Sequence, residues 1–321
     1  MDLLHPQLAA FAAVLEEGSF EAAARRLCVT SSAVSQRIKA LEDRLGQVLV
    51  VRQPPCRPTP AGALLLRRVR PMQMLEAEAL ADFLPEAEQG TAARSIAIAV
   101  NSDSLATWFL EALSLLNRQH GYLFDVRVDD QDHTLKLLRD GSVLGAVTGE
   151  AAAVQGCEVL ALGAMRYHAI AAPEFAARHF RDGVSAASLA QAPMIVFDRK
   201  DELQWRFVRR ITRARLSPPI HYLPTPTGFV DAAALGLGWC LAPESLVRPA
   251  LEEGRVSLIA ADRWLDVHLY WQHAAVRSDT LQNIGTVLRR VAATALHGVS
   301  GKTPDSEHRD RGWQGAGASG P

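Results

Sequence analysis

The stretch from residue 20 to residue 45 constrains the fold most, because it predicts two helices joined by a tight turn. Cys28 and Val29 occupy the turn, and Thr30 or Ser31 caps the second helix. The apolar residues of that second helix recur at steps of four, three and four: Val34, Ile38, Leu41 and Leu45. This spacing predicts that one face of the helix is buried.

The opposite face of the second helix is polar. Short hydroxyl and amide side chains can reach base edges in a DNA major groove, and cations can contact phosphates. One interpretation is an ordinary helical hairpin with a solvated polar face. The other is a DNA-binding surface made of Thr30, Ser31, Ser32, Ser35, Gln36, Arg37 and Lys39.

Positive charge gathers around this hairpin. Segment 25–57 has seven arginines and lysines against two carboxylates, a net charge of +5, whereas the whole chain has a net charge of −1. Such a concentration is typical of a polyanion-binding site. We expect Arg52 and Arg57, in the strand-and-loop segment that follows, to contact phosphate or the minor groove. The alternative is two exposed surface arginines.

Residues 23–42 fit the run A-A-x-x-L-x-V-T-x-S-A-V-S-x-x-I-x-x-L-E, which closely resembles the DNA-binding domain of LysR-type transcriptional regulators. The wing of that family corresponds here to the segment from Leu49 to Arg52, followed by T-x-x-G at 59–62. Ser31 stands where the family frequently has a glutamine. The resemblance implies that residues 1–59 form a winged helix-turn-helix domain that binds a double-stranded DNA operator.

Residues 60–88 predict a long linker helix. Apolar residues follow it at alternating steps of four and three without a domain of their own to pack against, which suggests a partner helix and hence a homodimer or a dimer of dimers. Pro71 predicts a kink or a split. Residues 88–93 are interpreted as a hinge. The stripe comprises Ala61, Leu65, Val69, Met72, Leu75, Ala79 and Phe83.

From residue 95 onward, β-type runs alternate with helical segments, which predicts a parallel sheet wrapped by helices. We expect two hinged α/β lobes, the first at 94–165 plus 266–297 and the second at 166–265. In LysR-type regulators such lobes resemble periplasmic binding proteins and form the effector domain. The fold class is therefore α+β multidomain, and the glycine-rich residues 298–321 predict a disordered tail.

A ligand site is expected beyond the carboxyl ends of the strands, where helix N-termini offer N–H groups to a carboxylate. Aspartates there offer countercharge to a cation, although aspartate is also common in caps and turns. The predicted ligand-binding residues are Asn101, Ser102, Asp103, Ser104, Asp130, Asp132, Thr148, Asp198, Thr225 and Thr227.

Residues 99–108, 145–148 and 269–271 resemble the ArgP and LysG branch of the family, whose members respond to lysine and arginine. The resemblance covers residues 5 to about 297. It implies a regulator that binds a basic amino acid and controls an amino-acid exporter gene; some members are also described as inhibitors of replication initiation. Gly228 departs from the pattern of that branch.

The composition is that of a soluble cytoplasmic protein, with 48% hydrophobic and 21% charged residues, four scattered cysteines, and no secretory signal or membrane span. No G-x-S-x-G motif occurs and the ten histidines lack metal-ligand spacing, so we expect no enzyme activity and no cofactor. Two alternatives stay open. One is a LysR-type regulator of another effector, and the other is an architectural DNA-binding protein whose lobes only assemble it.

Overall fold

The computed structural model describes residues 4–81, 83, 95–128, 131–225 and 228–298. It begins with three helices and a two-stranded antiparallel wing, as predicted. None of the described helices is long and apolar enough to cross a membrane. The elements of this first part are α1 Pro6–Glu17, α2 Phe20–Arg26, α3 Ser31–Leu45, β1 Val50–Val51 and β2 Arg57–Pro58.

The hairpin of α2 and α3 forms where its caps predict it. Ser19 Oγ accepts a hydrogen bond from the N–H of Ala22, and Thr30 Oγ1 accepts one from the N–H of Ala33, both at 3.1 Å. The predicted apolar stripe of α3 packs against Phe11 of α1, except at its last position. Leu45 is 48% exposed because Gly46 ends the helix there, beyond the three-helix core.

The linker helix α4, Pro60–Ala81, runs through Pro71 without the predicted split. Leu65 and Val69 of its predicted stripe have partners within the chain, contrary to prediction, whereas Met72 and Leu75 are exposed. Val69 is buried in the core of the first three helices, whereas Met74 is buried in the large core of the α/β part. The helix therefore belongs to both cores, which change over at Pro71, and packing on each side holds it together there.

The α/β part contains a mixed sheet. The strand order is β10–β6–β11–β5–β3–β4, and β9 also pairs with β6. Strand β3 is parallel to β4 and β5, whereas β11 is antiparallel to β5 and β6. The strands are β3 Ser95–Val100, β4 Leu123–Val128, β5 Gly145–Thr148, β6 Cys157–Ala171, β9 Cys240–Pro243, β10 Ser257–Leu258 and β11 Trp264–Ala274.

The expectation of a parallel sheet holds for β3, β4 and β5 and is wrong for β6 and β11, which are long neighbouring strands that run antiparallel to each other. A separate parallel pair, β7 Met194–Val196 and β8 Ile220–Tyr222, falls within the residues predicted for the second lobe. The helices are α5 (Ser102–Ser104, a π-helical turn Leu105–Phe109, and Leu110–His120), α6 Gln131–Arg139, α7 Pro173–His179, α8 Ala186–Gln191, α9 Leu203–Ile211, α10 Gly228–Ala234, α11 Glu244–Glu252 and α12 Asp279–Ala295.

The register of β6 and β11 shifts at the middle of the pair. Leu269 lies opposite Gly163, whereas Tyr270 lies opposite Ala161, so one residue of β6 bulges out. Bulges bend a strand and increase its twist. This one lies near the predicted lobe boundaries; the boundaries themselves, like the predicted hinge and tail outside the described residues, stay predictions.

Glutamates of α4 tie the linker helix to both sides. Glu78 Oε1 accepts hydrogen bonds from Ser278 Oγ at 2.6 Å and from the N–H of Thr280 at 2.9 Å, so it helps to cap α12. Glu76 Oε1 accepts one from the N–H of Leu4 at 2.7 Å. The linker thus contacts both the N-terminal segment and the last helix of the α/β part.

Replacing Gly163 tests whether the bulge is built around a glycine. Its φ is 146°, and an added Cβ would lie 2.9 Å from the carbonyl oxygen of His297. We expect Gly163→Ala to lower the free energy of unfolding by about 1–3 kcal/mol. Gly285→Ala is the matched control, because its Cβ would meet only Leu160 Cδ2 at 3.7 Å within α12 and should stabilise by up to about 1 kcal/mol.

Urea denaturation of the two variants and the parent measures both changes. A Gly163→Ala variant as stable as the parent would show that the bulge tolerates a side chain.

Candidate functional site

The exposed face of α3 carries the residues predicted to contact DNA. Ser32, Gln36 and Lys39 are exposed, while Ser31, Ser35 and Arg37 are partly exposed. Thr30 differs from them because its hydroxyl is used as the helix cap. The face therefore offers hydroxyl, amide and cationic groups to a groove, with Val34 and Ile38 buried behind it.

The wing presents its two arginines differently. Arg57 is exposed on β2. Arg52 Nη2 lies 3.4 Å from Glu42 Oε2, and its guanidinium carbon lies 5.5 Å from the centroid of the Phe20 ring. Arg52 keeps half of its side chain exposed, and a surface pair of this kind is weak, so it can still meet a phosphate. Glu42 has a role that the sequence did not indicate.

Glu42 fixes the base of the wing on α3. Its Oε1 accepts hydrogen bonds from the N–H groups of Leu49 at 2.8 Å and Val50 at 3.3 Å. The sequence analysis considered Glu42 only as one of the two negative charges in segment 25–57. Its position at the end of the A-V-S-x-x-I-x-x-L-E run is the signal that could have identified it.

The predicted ligand cleft begins where β3 ends. Asn101 and Ser104 are buried, and neither Asn101 Oδ1 nor Ser104 Oγ has a hydrogen-bond partner among the described residues. The side chain of Asn101 does not cap α5. A π-helical turn follows directly, a feature that is frequent at functional sites. Two buried polar groups are thus available at the start of α5, beside Ser102.

Asp103, in the first turn of α5, reaches across to β6. It accepts a hydrogen bond from the hydroxyl of Tyr167 at 2.6 Å. Burial raises the pKa of Asp103, and the charge of Asp201 raises it further, whereas the tyrosine hydrogen bond lowers it. Burial and the neighbouring Asp103 hold the pKa of Tyr167 well above its usual range. Asp103 is therefore a carboxylate that an added cation would stabilise.

Tyr167 and Asp201 are the two functional candidates that the sequence analysis missed. Asp201 accepts hydrogen bonds from the N–H groups of Phe197 at 3.0 Å and Leu203 at 2.9 Å, and burial raises its pKa. Asp201 follows a strand end and precedes a helix, which could have identified it. Tyr167 lies on the buried face of β6 between Met165 and Ala169, as an ordinary core tyrosine would, so nothing local distinguishes it.

The side chains of two predicted ligand residues accept hydrogen bonds from backbone N–H groups two or three residues farther along the chain. Asp198 Oδ1 accepts from the N–H groups of Lys200 at 2.7 Å and Asp201 at 3.0 Å, and Thr148 Oγ1 accepts from Glu150 at 3.2 Å. Thr225 lies just before α10. The contacts of Asp198 are therefore those of an ordinary turn residue, which is the alternative to a ligand-binding role.

Three further predicted ligand residues have side chains that lie outside the described residues. Asp130 and Thr227 lie outside the described residues, and Asp132 is in the first turn of α6 with its side chain outside them as well. No three His, Cys, Asp or Glu side chains in the described ranges are grouped to hold a metal ion.

Two family models match the chain. Residues 5–63 match the bacterial regulatory helix-turn-helix protein, lysR family, and residues 89–293 match the LysR substrate binding domain. Together they cover both parts of the fold described above.

Individual relatives agree. The chain is 47% identical over 293 residues to the HTH-type transcriptional regulator LysG of Mycobacterium tuberculosis, covering 91% of this chain and 95% of that protein. The crystal structure of ArgP from Mycobacterium tuberculosis has a TM-score of 0.81 at 46% identity and covers 92% and 99% of the two chains. Full-length LysG from Corynebacterium glutamicum with bound effector Arg has a TM-score of 0.73 at 37% identity and covers 92% and 100%.

The raised pKa of Asp103 predicts how stability depends on pH. A carboxyl whose pKa is higher in the folded protein binds its proton more tightly there, so its contribution to stability falls as pH rises from about 3.9 through the raised value. Asp103→Asn removes this titration while keeping an acceptor for Tyr167. We expect the variant to gain stability relative to the parent as pH rises through that window.

Denaturation midpoints between pH 4 and 7 measure the difference between variant and parent. Asp182→Asn, at an exposed turn, controls for the loss of one carboxylate. A constant difference across the pH range would contradict the prediction for Asp103.

Proposed function

Because the chain belongs to the LysR family of bacterial transcriptional regulators, we propose that it binds a DNA operator with α3 and the wing and responds to arginine or lysine held between its two lobes. The main observation in favour of this effector class is the partly buried carboxylate of Asp103, which is hydrogen-bonded to Tyr167 and influenced by the charge of Asp201. A cleft with this surplus of carboxylate favours a ligand with an extra positive charge.

The effector is proposed to bind in two parts. Its α-carboxylate meets the N–H groups at the start of α5, near Ser102 and Ser104, because a helix N-terminus favours an anion. Its cationic side chain meets Asp103, with Asp132 as a further partner from α6. The remaining lining is proposed to include Asn101, Asp130, Thr148, Asp198, Thr225 and Thr227. The arginine-bound LysG of Corynebacterium glutamicum, which covers 92% of this chain, supports this choice.

The proposed output is control of an amino-acid exporter gene in the cytoplasm, where chromosomal DNA is found. Support for the target comes from the resemblance to the lysine- and arginine-responsive branch. Ser35 and Gln36 are proposed to meet base edges, with Ser31, Ser32 and Thr30 nearby, while the cations Arg37, Lys39, Arg52 and Arg57 meet phosphate.

Citrulline tests the effector class, since it replaces the guanidinium of arginine by a neutral group of similar shape. A charged hydrogen bond lost in the cleft costs roughly 1.5–3 kcal/mol, or about ten- to a hundredfold in Kd. We expect calorimetry to show arginine binding at least about tenfold tighter than citrulline. Asp103→Asn should remove most of that difference, and arginine affinity should fall as pH drops towards the raised pKa of Asp103.

DNA binding without effector should survive in Asp103→Asn, which serves as the folding control. Equal binding of arginine and citrulline, or of neither, would leave the regulator fold without the proposed effector.

Substitutions of Gln36 and Arg57 distinguish the contribution of base recognition to DNA affinity from that of phosphate contact. Gln36→Ala should cost about 1–3 kcal/mol on the operator and less on random DNA, because an amide reads a base edge. Arg57→Ala should weaken both DNAs alike and reduce the salt dependence by about one counterion. Fluorescence anisotropy at several salt concentrations measures both. Equal losses on operator and random DNA for Gln36→Ala would remove Gln36 from the base-reading set.

A homodimer is proposed to form through α4, because large apolar residues of the linker remain exposed: Leu64, Met72, Leu75 and Phe83. Leu64→Glu places a charge on this face without altering either core, so it should shift the chain towards monomer. Sedimentation velocity at micromolar concentration measures this, with Gln282→Glu on the exposed side of α12 as the control. A monomeric parent protein would exclude the proposal.

A further inference from the structure

A cavity of about 140 Å³ lies at the seam where α4 packs on the first lobe. Most of its wall is apolar, and α4 contributes all of its charged residues: Arg67, Arg68 and Arg70. We call it the seam cavity and define it by these arginines together with Pro71, Leu144, Cys157 and Val276. It is separate from the cleft that contains Asp103.

Arg70 is the unusual residue of the seam cavity. Its side chain is buried, with 7% of the residue exposed, and Nη1 donates to the carbonyl oxygen of Ser142. Nε is buried without an acceptor among the described residues, and no described carboxylate lies within 4.0 Å of the guanidinium. The carboxylates of Glu16, Asp125 and Asp140 act on it only from farther away, and burial lowers its pKa.

A buried cation without a paired anion is expensive, because one carbonyl replaces only a small part of its hydration. In natural proteins a fully buried arginine is rare unless it is paired. The side chain adjoins a cavity, so an anion can be supplied from solution. The apolar wall requires that the rest of this anion be apolar as well.

We propose that the seam cavity binds a small aliphatic monocarboxylate, with its carboxylate beside Arg70 and its chain against Pro71, Leu144 and Val276. The volume is close to the roughly 150 Å³ that holds a benzene molecule, which corresponds to an acid of about five carbons. An amino acid is a poor ligand here, since its ammonium would lie among three arginines. The seam cavity therefore selects a different class of ligand from the cleft.

Such a ligand would bridge two parts of the chain. The seam is tight, because a Cβ on Gly141 would lie 2.5 Å from the backbone of Arg67. On its other side α4 buries Leu66 and Val69 in the first domain. An acid that fills the cavity would strengthen the attachment of this helix, and with it the DNA-binding domain, to the first lobe.

Cysteine protection tests the site in the unmodified protein. Cys157 lines the seam cavity and is partly exposed, whereas Cys28 is exposed in the turn before α3. With pentanoate near saturation, iodoacetamide should modify Cys157 at least about fivefold more slowly, while the rate at Cys28 stays unchanged. Mass spectrometry of the two cysteine-containing peptides measures both rate constants. Pentanamide, which lacks the charge, should protect neither.

Arg70→Gln and the control Arg118→Gln, which removes an exposed arginine of α5, test the anion contact. Calorimetry should show pentanoate binding about tenfold weaker in Arg70→Gln and unchanged in Arg118→Gln. Circular dichroism and cooperative thermal unfolding show that each variant is folded. If Arg70→Gln does not fold, the cysteine experiment on the parent protein still decides.

Equal protection by pentanoate and pentanamide, or no protection by either, would overturn the proposal. Displacement of pentanoate by arginine would place it in the cleft and overturn it too. If pentanoate does not bind and Arg70→Gln weakens self-association, the anion is a carboxylate of a second copy, and the small-molecule site is wrong.

Discussion

The two-lobed part of the molecule depends on the antiparallel pairing of β6 with β11. Both strands cross a predicted lobe boundary, and their register shifts once, between Leu269 and Tyr270. Because β6 continues beyond that bulge, it brings Tyr167 within 2.6 Å of Asp103 on α5. This contact at the predicted cleft is therefore a product of strand length and register, and a slip of one residue would turn Tyr167 to the other face of the sheet.

Features that depend on local contacts could be predicted from the sequence, whereas features that depend on long-range strand pairing could not. The helix hairpin was predictable because its signals are local: Thr30 caps α3, and the spacing of Val34, Ile38 and Leu41 sets the buried face. The mixed sheet was not, because strand direction depends on how distant segments pair. Lone aspartates were the hardest case, since Asp198 and Asp103 carry similar local signals.

Of these two, Asp198 closes a turn whereas Asp103 faces a tyrosine 64 residues away. Only the packing of β6 on α5 distinguishes them. The linker shows a partial error: its stripe predicts a surface for a partner helix, but Val69 is buried in a core of the chain itself, whereas Met72 and Leu75 are exposed. Periodicity reports that a face is buried and does not report what covers it.

Glu78 has a consequence for how the linker can detach. Its carboxylate shares the capping of α12 with Ser278, so lifting α4 would expose apolar surface and remove one of the two caps of α12 in the same event. Losses that occur together make separation cooperative, because a half-lifted helix keeps neither set of contacts. We therefore expect α4 to separate from the α/β part in a single cooperative step and not by gradual bending.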